Sequence, residues 1–188
     1  MIGYAMCGSF CTLSRSLKVM ESLINLGYEI QPILSENAVS TDTRFMRSGE
    51  LLKRVEELCQ RRAVLTVKDA EPFGQITPLT ELIIAPCTGN TLAKIAHGVT
   101  DSTVTMAAKA HLRCDRPMLV ALASNDALSQ NLKNVATLLS RRAVYFVPLL
   151  QDDPEGKPHS LVAQFELLPE AFAAMKEGRQ LRPLFLTK

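Results

Sequence analysis

Residues 82–98 constrain this chain more than any other stretch. Leu82, Ile83, Ile84 and Ala85 form a fully apolar run. Pro86, Cys87, Thr88, Gly89, Asn90 and Thr91 are small and mostly polar, and Leu92, Ile95 and Ala96 then recur at helical spacing as far as Gly98. An unbroken apolar run of strand length marks a strand covered on both faces, and such strands belong to parallel sheets packed between helices. The junction also aims backbone N–H groups and hydroxyls at one point, where an anionic group can sit.

The rest of the chain alternates in the same way. Strands are predicted over 2–7, 29–34, 63–67, 82–85, 118–123 and 144–147. A helix opens at Ser9–Thr12, runs to about Leu26 and is closed by Gly27. Others are predicted over 43–60, with Leu51, Leu52, Val55 and Leu58 on one face, over 103–113 and over 127–140. Residues 35–38 read as a turn and 68–79 as a Pro/Gly-containing loop. The expected fold is α/β: a single-domain, doubly wound (Rossmann-like or flavodoxin-like) parallel sheet with helices on both faces. A length of 188 residues suits one such domain. Residues 1–150 are expected to form a mononucleotide-binding domain. Residues 151–188 would add a mobile loop over 151–159 and a helical tail packed on the same domain, its 160–176 helix split by Pro169.

Composition narrows the function classes. A formal charge of +2, without a long Lys/Arg run, argues against a nucleic-acid surface. The doublets Arg61-Arg62 and Arg141-Arg142 fall near predicted helix ends, where cations complement the dipole. Apolar runs are strand-sized, far short of the ~20 residues of a membrane-spanning helix, and no signal peptide is apparent. The five cysteines are odd in number and form no CxxC pair, which points to free thiols in a reducing, cytoplasmic compartment and against a zinc site.

In a doubly wound sheet, ligands bind beyond the carboxyl ends of the strands. Three loops should meet there: Cys7–Thr12, Ser35–Ala38 and Pro86–Thr91. Gly8 permits close backbone approach, and Ser9 and Ser35 can donate to phosphate oxygens. The plainer account of the same hydroxyls is that they are N-caps. Neither GxGxxG nor GxxxxGK[ST] occurs, so a mononucleotide suits these loops better than a dinucleotide.

These residues resemble the flavoprotein family of homo-oligomeric flavin-containing cysteine decarboxylases and their relatives. The resemblance rests on Gly8-Ser9 after the first strand, on Ser35 after the second, and on Pro86, Asn90, Thr91, Leu92, Ala93, Ile95, Ala96, Gly98 and Asp101, with Thr105 following. It implies FMN as cofactor. Gly8, Ser9 and Ser35 would lie near its phosphate, with Phe10 and Asn37 beside them, and Pro86, Cys87, Thr88, Asn90 and Thr91 near the flavin. It also implies a homo-oligomer, a trimer or a multiple of trimers.

Departures from the family pattern separate its branches. Where decarboxylating members carry a histidine before the fourth strand this chain has Gln75-Ile76, and of their Pro-x-Met-Asn-like motif only Asn125 remains. Flavin prenyltransferases place cations where this chain has Asn90, Met106 and Ala123-Ser124. The segments 3–12, 35–37, 86–91 and 158–188 instead resemble a branch that works with a second, Rossmann-type protein to convert dihydrodipicolinate to dipicolinate in spore-forming bacteria. That resemblance implies a small dicarboxylate substrate, with Ser124, Asn125, Lys157 and His159 as candidate contacts; it names no proton-transfer residue. Two alternatives stay open: a non-redox, decarboxylase-like flavin enzyme, and a non-catalytic, partner-binding subunit that kept the fold. His97 and His111 are expected to be structural or solvent-facing, and Asp101 to cap the next helix.

Overall fold

Successive apolar strands need cover on both faces, and the helices between them supply it. The computed structural model describes residues 1–187. In chain order the elements are β1 (Ile2–Met6), α1 (Leu13–Asn25), β2 (Ile30–Leu34), α2 (Glu36–Ser40), α3 (Ser48–Cys59), α4 (Val67–Ala70), β3 (Leu82–Thr88), α5 (Gly89–His97) and α6 (Thr103–Leu112). There follow β4 (Met118–Ser124), α7 (Leu132–Leu139), β5 (Val144–Phe146), β6 (Leu149–Leu150), β7 (Leu161–Ala163), α8 (Leu168–Lys176) and β8 (Phe185–Leu186).

The eight strands form one sheet in the order β2-β1-β3-β4-β7-β6-β8, with β5 also paired to β4. Strands β1 to β5 are mutually parallel, and β7 runs antiparallel to both β4 and β6. The chain moves outward from β1 to β2, then crosses back to place β3 on the other side of β1. The change of direction between β1 and β3 opens the crevice where ligands of such sheets bind. Strands β1, β3 and β4 are buried almost throughout. Beneath them Tyr4 is fully buried, and its hydroxyl lies 3.0 Å from the Ser16 hydroxyl, which in turn donates to the Ala85 carbonyl. A carbonyl freed where the β3–β4 register shifts, between Ile84 and Cys87, is thereby satisfied.

Several boundaries differ from expectation, each for a visible reason. The predicted 63–67 strand reduces to one bridge between Ile33 and Val64, because Thr66 caps α4 by accepting from the Asp69 amide. The helix expected over 43–60 starts at Ser48: the Thr43 hydroxyl accepts from Phe45 and Met46, and Asp42 takes the Ser48 amide, which hold the approach as a turn. The helix expected from 127 starts at Leu132. Residues 35–38 are not a free turn but the entry to α2. The largest correction concerns 160–176, whose first part is strand β7. Pro169 therefore does not split a helix; it lies in the first turn of α8, where its missing N–H leaves no helical bond unmade.

Candidate functional site

Four loops leave the carboxyl ends of β1 to β4, and contacts tie them into one rim. The Cys7 amide donates to the Pro86 carbonyl and the Ser35 amide to the Met6 carbonyl, both at 3.0 Å. A Cβ on Gly8 would stand 3.2 Å from the Phe10 ring and 3.5 Å from Asn37 Cβ, so the first two loops are in contact. The fourth loop presses on the third at Gly89, where a Cβ would meet the side chains of Ser124, Asn131 and Asp126.

The expected hydroxyls are all on this rim, and each has local work. Ser35 Oγ accepts from the Ala38 amide and caps α2. Thr88 Oγ1 accepts from the Thr91 amide and donates to Thr91 Oγ1, capping α5. Ser9 Oγ accepts from the Thr12 hydroxyl. Ser35 caps α2 as an acceptor, Ser9 accepts only from a neighbouring side chain, and an O–H that accepts one bond still has its proton to donate. Asn37 and Asn90 are exposed at the first turns of α2 and α5, beside amides that have no partner within their own helix.

The one carboxylate among these first three loops is internally committed. Glu36 Oε1 accepts from the Thr103 amide at 2.9 Å and the Thr103 hydroxyl at 2.8 Å, at the N-terminus of α6. Asp101 pairs with Lys94 at 2.8 Å. The cap of α6, expected of Asp101, is Ser102, in a reciprocal capping box with Thr105.

Burial settles the thiols. Cys7 and Cys87 lie in the core; burial pushes the Cys7 thiol up to about 11 and Cys87 well above its ordinary value. Their position before helix N-termini therefore activates neither, and Pro86 and Cys87 can face the rim only through their main chain. Cys11 is exposed.

On the fourth loop Ser124 Oγ donates to Asp126, which leaves it no proton for a carboxylate, while Asn125 is exposed. The 151–159 segment is a series of hydrogen-bonded turns beside this loop. The Leu128 amide donates to the His159 carbonyl, and Gln151 closes the segment by donating to the Pro158 carbonyl. Lys157 pairs with Asp152 at 3.5 Å, and both Lys157 and His159 are exposed. Of the two other histidines, His97 is exposed and His111 is fully buried, its Nε2 2.9 Å from the Pro117 carbonyl.

Sequence reasoning did not assign roles to Glu36, Asp126 or Asn131. Glu36 acts on a helix 67 positions away in the chain, and nothing local signals that. Asp126, in the loop between β4 and α7, carried the signal of a turn-forming residue.

The Flavoprotein family model matches residues 1–180. The chain belongs to the Flavoprotein family. Within it, the chain is 40% identical over 185 residues to the B subunit of dipicolinate synthase from Bacillus subtilis (strain 168), covering 98% of this chain and 92% of the relative. The crystal structure of the corresponding B subunit from Bacillus halodurans C superposes with a TM-score of 0.90 at 40% identity, covering 100% of this chain and 96% of that one. The FMN-dependent cysteine decarboxylase SpaF has the same fold at 20% identity, with a TM-score of 0.68 over 94% of this chain and 95% of that one. In this flavoprotein three surface hollows lie away from the four loops: along α3 (about 520 Å³), between α5 and α6 (about 150 Å³), and between β5 and the tail (about 460 Å³). Among the described residues no helix is long and apolar enough to cross a membrane, and no cluster of His, Cys, Asp or Glu suits a metal ion.

Proposed function

We propose that this chain is the flavin-binding B subunit of dipicolinate synthase, holding FMN at the four-loop rim. Its partner is the Rossmann-type A subunit of dipicolinate synthase, and together they convert dihydrodipicolinate to dipicolinate in the cytoplasm during sporulation. The observation that carries the reading is likeness to a dipicolinate synthase B subunit over nearly the whole of both chains. The rim fits the cofactor. A phosphate needs donors, and Ser9, Ser35 and the first turns of α2 and α5 offer them around Gly8, while Glu36 spends its charge on α6.

In this reading Gly8, Ser9, Ser35 and Asn37 hold the phosphate, and Thr88, Asn90 and Thr91 border the ring system. When bound, FMN supplies a two-electron acceptor suited to aromatising a dihydropyridine ring. The chain's own part is to place cofactor and dicarboxylate together. In the same reading Asn125, Lys157 and His159 contact the substrate, Lys157 and His159 being the groups suited to its carboxylates. The open rim suits a site completed by a neighbouring copy of the chain, as in a homo-oligomer built from trimers.

The test is titration of the purified protein with FMN, followed by flavin fluorescence. Saturable binding at micromolar concentration or tighter is expected. Ser9→Asp, which sets a carboxylate against the phosphate, should weaken it about a hundredfold or more. Flavin reduction on adding dihydrodipicolinate and the Rossmann-type partner should follow. One observation favours a second reading: every rim hydroxyl already has a local bond. If wild type does not bind FMN, those bonds serve the local fold alone and the chain is a scaffold for its partner.

A further inference from the structure

The fourth loop carries more hydrogen bonding than a connection requires. Asp126 accepts from the Ser124 hydroxyl on Oδ1, and from Asn131 Nδ2 on Oδ1 at 2.9 Å and Oδ2 at 2.8 Å. Its carbonyl takes the Ser129 and Asn131 amides at 3.1 and 3.2 Å. Asn131 in turn accepts from Asn134 Nδ2 at 2.8 Å, and both asparagines are buried. The cluster faces Gly89, the first residue of α5. A Cβ there would lie 2.7 Å from Asn131 Nδ2 and 2.8 Å from Asp126 Oδ1, with Ser124 Oγ nearer still. The first turn of α5 thus rests against a polar wall with no slack, and the carboxylate in that wall faces the positive end of the helix. Apolar side chains would fill this space without fixing orientation; a carboxylate held by three hydrogen bonds from two side chains fixes it.

We propose that Asp126 is the positioning residue of the rim: through Ser124 and Asn131 it sets where Gly89 and Asn90 present their donors to the cofactor. The assignment rests on the reading of the rim as an FMN site. Asp126→Asn keeps the shape but turns one oxygen into an NH₂ that opposes Asn131 Nδ2. Adding Asn131→Asp repairs one of the two contacts and leaves oxygen facing oxygen at the other. The new amide then donates to the new carboxylate, Ser124 still donates to residue 126, and Asn134 still donates to residue 131.

The experiment compares wild type, Asp126→Asn and the double variant by FMN titration, and by hydrogen exchange of the 86–92 segment without FMN. Asp126→Asn should weaken FMN binding about tenfold, as loss of a supporting group does in other sites, and speed exchange over 86–92. The double variant should restore both in part. Wild-type behaviour of Asp126→Asn, or a loss the double variant does not reduce, overturns the proposal. If wild type fails to bind FMN, the flavin reading falls, while unchanged exchange in Asp126→Asn overturns the positioning role independently. Should Asp126→Asn not fold, Ser124→Ala carries the same test: faster exchange over 86–92 supports the role, and wild-type exchange overturns it.

Discussion

Gly89 shows how much one hydrogen atom in place of a methyl group decides at this rim. Its backbone needs no left-handed conformation, since it opens α5 as an ordinary helical residue. What forbids a side chain is the fixed polar wall opposite, whose atoms cannot swing away without breaking their own bonds. Gly89→Ala should therefore destabilise the protein by about 1–3 kcal/mol, the usual cost of overpacking, measured by urea denaturation. Gly8 differs: its neighbours are the Phe10 ring and Asn37 Cβ at ordinary or slightly tight contact. The sequence marked both glycines as rim residues, but only the folded chain shows that the stricter constraint falls on Gly89.

Helix ends carry the logic of the elements. Ser35, Thr66, Thr88 and Ser102 each cap the helix that follows with a side-chain oxygen, a local rule that can be read from residue order. The far end of α6 is less ordinary. His111 is fully buried there, and its Nδ1 has no hydrogen-bond partner. Burial lowers its pKa from the ordinary 6.5. Because the unfolded chain then binds more protons than the folded one, stability should fall as pH drops through 6.5 and level off below the folded value. Thermal melting between pH 8 and 5 should show that fall, and His111→Gln, which keeps an amide donor for the Pro117 carbonyl, should flatten it. The sequence left His111 as either structural or solvent-facing; the sheet behind α6 makes it structural.

At the scale of the whole molecule the C-terminal tail is part of the fold. Strand β7 pairs with β4 at Ala123 and Ser124, immediately beside the rim. Phe165, Leu168, Phe172 and Met175 are buried, Phe172 packs edge-on against Tyr28 with ring centroids 5.3 Å apart, and Arg15 of α1 reaches Glu166 at 2.8 Å. That exposed ion pair contributes little. The four apolar side chains together contribute about 10 kcal/mol of burial, comparable with the net stability of an entire domain. Truncation after Gln151 should abolish cooperative unfolding, read by circular dichroism. A residual two-state transition near that of the full chain would show that residues 1–151 fold alone.

Strands β1 to β5, helices α1, α3, α5, α6 and α7, the residues of the three principal rim loops and the family were legible in the sequence alone, because hydrophobic period, helix caps and short motifs are properties of neighbouring residues. Tertiary structure alone decided that Leu161–Ala163 is a strand and not helix, since strand identity there comes from the waiting edge of β4. It also decided that Glu36 serves α6, that Cys7 and Cys87 are sealed in the core, and that Asp126, Asn131 and Ser124 converge on Gly89. Each of these depends on a partner brought near by the winding of the sheet, and separation along the chain carries no record of that approach.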